Sequence, residues 1–412
     1  MRRSIPLILA ACLIGTSGLA RGDTRTLAIE DVAGLVSAQN LTVLSNAQRV
    51  YQAKDSIRVA RGNLLPKLNV WRIAGAAFDP TALFGMVEDI VPFLVPANWL
   101  RVKEAKLFAE AQREAYTALW ANELMTAKGL YIHAELDRAL LELIERQIVE
   151  LQDLKTIARS REVLGDAPEL LSKQIAIQIS SLKDDVRALR FLLKEEVNSL
   201  GFALGLPSDS DIILMPLNLE GLNGTTQPEE SEFVARSVTA SPEIRQYLSL
   251  IEASKHVRRE AQFSFLGIST LSRGVMGGVF DSLPISDGLG FGTAASIRIS
   301  KRQKAILELQ QKGIEESLRR TAALTLASMK LDLDGLANAA ERRTLAQSLK
   351  RDLKTRLQLG APVEAALILA GIQDMLEADS SELTIQHGIL ISLDRVSRLT
   401  FVGDYANPPG TE

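Results

Sequence analysis

The sequence predicts a mainly α-helical chain, built from long antiparallel coiled-coil hairpins in two internal repeats, with a small β-strand region. Three observations carry this. Apolar residues recur at spacings of three and four over stretches longer than a globular core needs. A helix-stop and helix-start signal occurs twice in matching form. Nearly half of the aromatic residues fall in two short segments that also hold Gly and Pro.

The chain opens on a targeting segment. Arg2 and Arg3 form a positive n-region, and residues 5–14 are an apolar run too short to span a bilayer as a stable helix. Gly18-Leu19-Ala20 offers small residues for signal cleavage, which sets the expected signal peptide at 1–20. A second reading is Leu9-Ala10-Ala11-Cys12 as a lipoprotein box, which leaves Cys12 acylated. Cys12 is the only cysteine, so cleavage after Ala20 leaves no disulfide, thiolate metal site or cysteine nucleophile.

The first repeat is expected over 21–222 and the second over 223–412, with a polar, turn-rich joint at Gly221, Asn223-Gly224 and Pro228. Each repeat starts with a helix of roughly 35 residues, at about 29–63 and 230–263. Ala53 aligns with Ala253, Arg58 with Arg258 and Leu44 with Ile244, at an offset of 200.

An aromatic stretch follows each of these helices. Segments 71–99 and 263–291 hold nine of the 20 aromatics, including Trp71, Phe84, Phe93, Trp99, Phe265, Phe280 and Phe291. Residues 67–73 alternate as a strand does, and 266–271 and 289–299 do so loosely. Alternation with aromatics near its ends suits lipid-facing barrel strands; a hydrophobic patch capping the helix ends is the other reading.

Next comes a very long helix, expected from about Asn98 to Ala158, roughly 90 Å at 1.5 Å per residue. Leu136, Leu140, Leu143, Ile148, Leu151 and Leu154 form its stripe, with Glu142, Glu145, Arg146 and Asp153 on other faces. A stripe of that length must be buried against neighbouring helices along its whole run.

The turns that end the long helices match best. Copy one reads Arg161, then Leu164-Gly165-Asp166-Ala167-Pro168-Glu169; copy two reads Arg356, then Leu359-Gly360-Ala361-Pro362-Val363-Glu364. Arg suits the negative end of a helix, Gly supplies a left-handed residue after it, and Pro and Glu suit the next first turn. This is the signature of an αα-hairpin. Glu169 and Glu364 are expected one turn into the returning helices. They can act there as a ring of carboxylates, to which Asp166 adds, or only as partners of the helix dipole.

Several functions are excluded or disfavoured. The net charge of −3 gives no basic footprint for nucleic acid. His133, His256 and His387 lack the spacing of a metal site, and Gly288 to Gly292 does not match a nucleotide loop. No catalytic residue, cofactor site or metal site is expected.

Three junctions carry a resemblance to the TolC-type outer-membrane efflux proteins. The run Ala60-Arg61-Gly62-Asn63-Leu64-Leu65-Pro66-Lys67-Leu68 is similar to that family's helix-to-strand junction. Ser241-Pro242-Glu243-Ile244 is similar to its second-repeat helix start, and the Arg161-to-Gly165 and Arg356-to-Gly360 turns to its periplasmic tips.

The resemblance implies a homotrimer in the outer membrane, contacting its lipid, with a shared barrel and a periplasmic tunnel. It implies a periplasmic adaptor protein and an inner-membrane transporter as partners, and passive export rather than catalysis. Residues Arg161, Gly165, Asp166, Glu169, Arg356, Gly360 and Glu364 become the adaptor-facing tips, with Arg161 and Arg356 as outward anchors. Two departures stand out. Glu88 and Asp89 fall where a barrel strand belongs, which fits a periplasmic scaffold without a complete barrel as the alternative. Ala366 and Leu369 occupy the places where the family carries pore-closing aspartates.

Overall fold

The structure is a computed structural model, which describes residues 24–65, 93, 96–165, 170–263, 293–359 and 364–410. The order is β1 (Thr24–Leu27), α1 (Asp31–Gln39), α2 (Leu41–Gly62), α3 (Pro96–Leu164), α4 (Leu171–Ala203), β2 (Asp211–Leu214), α5 (Glu230–Ala240), α6 (Pro242–Phe263), α7 (Thr293–Gln358) and α8 (Ala365–Thr400). α3 packs along α4, α6, α2 and α8, and α7 packs along α8, α6 and α5. At 69 residues α3 is about 100 Å long.

The two opening helices of roughly 35 residues are each broken into two, against expectation. Asn40 stands extended between α1 and α2. Its Oδ1 accepts from the Val43 amide at 2.9 Å, and its Nδ2 donates to the Ala203 carbonyl at 2.7 Å. A helix-continuing residue at 40 would leave those groups unpaired in the core. Ser241 does the same between α5 and α6: its hydroxyl accepts from the Ile244 amide at 3.2 Å, and Pro242 takes the first helical position. The loosely alternating 289–299 run is also corrected. From Thr293 it is the first turns of α7, because a helix of 66 residues outweighs weak local alternation.

The two largest apolar clusters among the described residues lie at the waist and toward the hairpin ends. At the waist, Leu27, Val36, Trp120, Leu124, Tyr131, Leu200 and Tyr405 pack into one cluster. Here β1 and β2 form a parallel pair in register Thr24↔Asp211 to Leu27↔Leu214, although about 180 residues separate them. The Tyr131 hydroxyl lies 2.7 Å from the Met215 carbonyl and 3.0 Å from that of Leu27, which ties the pair to α3. Burial, then the Glu135 charge, push its pKa up to about 12. Lys128 sits between Asp404 at 2.5 Å and Asp394 at 3.3 Å, so the chain end after α8 is clamped to α3.

Gly205 closes the waist. It follows α4 at φ +71°, and a Cβ there would lie 2.1 Å from the Gln39 carbonyl oxygen. Gly205→Ala therefore combines a left-handed backbone with a backbone clash. It is expected to cost about 2–3 kcal/mol, read as a lowered urea midpoint with unchanged slope.

The second centre lies toward the far ends of the hairpins. Leu151, Leu154, Leu171, Ile175 and Leu182 of α3 and α4 join Leu353, Leu357, Ile368 and Ile372 of α7 and α8. One core thus spans both hairpins.

Candidate functional site at the hairpin tips

Arg161 lies in the last turn of α3 and Gly165 follows it at φ +79°, the left-handed residue that ends a helix. Arg356 lies exposed in the last turn of α7. Glu364 is exposed at the N-cap of α8, with no hydrogen bond from its side chain to the capped amides. It therefore stands before the first turn, not one turn in. Asp166, Glu169 and Gly360 lie outside the described residues.

The two tips meet. The Arg161 guanidinium donates to the carbonyl of Gln358, the last residue of α7. An Arg so placed neutralises a helix C-terminus and ties one tip to the other. This differs from an outward anchor: Arg161 is half-buried and spent within the protomer. A second tie joins Lys350 on α7 to Glu150 on α3, about two to three turns higher.

The cap of α4 comes from a residue that the sequence did not single out. The Glu162 carboxylate accepts from the Ser172 amide at 2.6 Å and its hydroxyl at 2.7 Å. Those two bonds, the amide first, hold the carboxyl below the usual range. Leu170 enters the helix at φ +83°, strain that the neighbouring Glu162 cap overcomes.

Among the described tip residues, four apolar side chains are also exposed. Val163 is 82% exposed, Leu164 68%, Leu170 52% and Leu359 78%. Leu164 and Leu359 each precede a tip glycine. The repeated Leu-Gly pair was the sequence signal for them, though it reads equally as helix termination.

At the other end of α3, Trp99 lies in the first turn and is half exposed. Its indole N–H donates to the Phe93 carbonyl at 2.8 Å. Trp71, Phe84, Phe265, Phe280 and Phe291 lie outside the described residues, as do the strand-like runs at 67–73 and 266–271, the 288–292 glycine run and Cys12. Among the described residues no helix is long and apolar enough to cross a membrane, which says nothing of a β-barrel. No group of three or more His, Cys, Asp or Glu among them is placed to hold a metal.

No protein-family model and no curated protein sequence matches the chain. Solved structures do. A membrane protein from Pseudomonas aeruginosa superposes with a TM-score of 0.72 at 14% identity, over 90% of this chain and 92% of that one. The Campylobacter jejuni CmeC outer membrane channel gives 0.70 at 12%, over 90% and 85%. The outer membrane protein VceC from Vibrio cholerae gives 0.69 at 11%, over 90% and 96%. The chain has the TolC-type channel fold. Each of these matches covers nine-tenths of the chain.

Proposed function

We propose that this protein is the outer-membrane component of an export assembly, a passive trimeric conduit whose hairpin tips face a periplasmic adaptor and, through it, an inner-membrane transporter. The observation that carries the reading is the apolar surface left on two helices. On α4, Ile177, Phe191 and Phe202 are 71%, 73% and 82% exposed. On α7, Leu309, Leu324, Leu331 and Leu345 are 62–72% exposed. At about 100° per residue, each set falls within roughly 60° of one helix face. Stripes of this kind on long helices are buried by neighbours, and two different faces of one protomer suit a head-to-tail ring. Catalysis has no place in this reading.

The N-terminal segment 1–20 as an export signal and the recurrence of helix lengths across 21–222 and 223–412 support the same reading. A periplasmic scaffold without a complete barrel remains its alternative, on account of Glu88 and Asp89. Fractionation separates them. The mature protein is expected in the outer-membrane fraction, released only by detergent and running as a trimer in native mass spectrometry. A monomer free in the periplasm overturns the channel.

Glu364 exposed at the N-cap, with its counterpart Glu169, bears on permeation. With three protomers these side chains place six carboxylates at the tunnel mouth, and such a ring favours cations. The Glu169→Gln/Glu364→Gln channel is expected to lose most of its cation preference, read as a reversal-potential shift toward zero in a planar bilayer under a salt gradient. An unchanged reversal potential rules out the ring.

A further inference from the structure

The seam between α3 and α4 is apolar at the waist and apolar toward the tips, but acidic between. On α3 the seam positions run Ala134, Asp137, Leu141, Ile144, Ile148, Leu151, at alternating steps of three and four. On α4 they run Leu182, Val186, Leu189, Leu193, Glu196, Leu200, at the same steps. Asp137 and Glu196 thus occupy core positions of an antiparallel coiled coil. They lie at one level, each about 40 Å from the tip, since 27 and 25 residues separate them from the helix ends at Leu164 and Leu171.

The shared level sets the two carboxyls opposite each other across the seam. Asp137 is 9% exposed. Its Oδ2 and the Oε2 of Glu196 are both buried, and no described donor supplies either with a hydrogen bond. The surrounding charges do not neutralise the pair. On α3, Arg138 is committed to Glu135 at 2.5 Å and Glu142 at 2.6 Å. His133, one turn before Asp137, is exposed and acts on it through charge alone. On α4, Glu195 adds a further negative charge and Lys194 turns into a surface groove with Asn40 and Glu123. On α8, buried His387 holds its Nδ1 2.8 Å from the Leu383 carbonyl and feels Glu135 and His133.

Two like charges in a partly buried seam repel, and each loses part of its hydration. The hydrogen that joins them has to be their own. We propose that Asp137 and Glu196 share one proton as a latch that keeps the first hairpin closed in acidic medium, and that the latch loosens as the pH rises through neutrality. The waist core anchors the hairpin above the pair, and the shared tip core binds it to the second hairpin below. Loosening at this level lets the tip half swing against the waist.

The direction with pH follows from the proton. Burial first, then the Asp137 charge, push the Glu196 pKa up to about 7, and burial raises that of Asp137 too. Both shifts belong to the pair as a unit. An unfolded Glu titrates near 4.3. The stabilisation is therefore complete below about pH 4.3 and is lost as pH rises to and through about 7.

Hydrogen–deuterium exchange of the full-length protein, read by mass spectrometry at pH 5.5 to 8.5 and corrected for the intrinsic rate, tests this. Protection of peptides covering 133–141 and 189–200 is expected to fall on the order of tenfold across the range, a tenfold change being one pKa unit. Peptides of the waist and of the tip core should stay level. Glu196→Gln places a permanent donor opposite Asp137 and is expected to hold protection at every pH. Asp137→Asn is the reciprocal variant and should do the same. Flat protection in the unaltered protein overturns the latch. So does a wild-type pH profile in both variants, which would move the effect to His133 and His387.

Discussion

Replacing Leu164 and Leu359 together by Asp is expected to cut export at least tenfold while the protomer folds normally. Both side chains are largely exposed, at 68% and 78%, so neither belongs to a core, and stability should change by less than about 0.5 kcal/mol. In the assembly proposed above, both are buried against the adaptor. A buried Leu contributes about 1.5–3 kcal/mol, and a carboxylate in the same apolar contact adds a desolvation cost. A trimer carries the change six times, so a loss of roughly 1.4 kcal/mol per ring of contacts already gives tenfold. The readouts are substrate accumulation in cells carrying the variant and site-specific crosslinking of the tips to the adaptor. Wild-type export with intact crosslinks would show that the tips dock elsewhere.

Trp120→Ala is expected to be the most damaging single substitution at the waist, lowering stability by about 3–5 kcal/mol. Trp120 is 1% exposed and meets the Tyr405 ring edge-on with centroids 6.4 Å apart. Its indole N–H donates to the Ser37 hydroxyl at 3.0 Å, so it links α1, α3 and the chain end in one side chain. Removing it leaves a cavity walled by long helices that cannot collapse independently. Guanidinium unfolding followed by circular dichroism, at one fixed protein concentration because assembly adds stability by mass action, gives the number. A loss under about 1 kcal/mol would mean that the waist is not one cooperative core.

The tips illustrate how far the residues alone reach. Arg161, Gly165 and Arg356 sit at the helix ends that their chemistry demands, because a macrodipole and a left-handed C′ residue are local requirements. The use of Arg161 is another matter. Its partner is the Gln358 carbonyl, 197 residues away, and nothing near Arg161 in the chain announces it. Glu162 reads as one more surface acid, yet it caps α4 across the turn. Leu164 and Leu359 stand in the repeated motif, where they read only as helix ends, since exposure is a property of the folded surface.

The sequence by itself determined the two long hairpins and their stop-start turns. Those follow from periodicity, capping and composition, which act over a few residues. Only the tertiary structure decided the helix break at Asn40, the β1–β2 pair, the union of the tips and the meeting of Asp137 with Glu196. Each depends on partners 59 or more residues apart. A four-residue strand or a single acid in a heptad carries no local signal strong enough to name its partner, so the packing of long helices side by side chooses it.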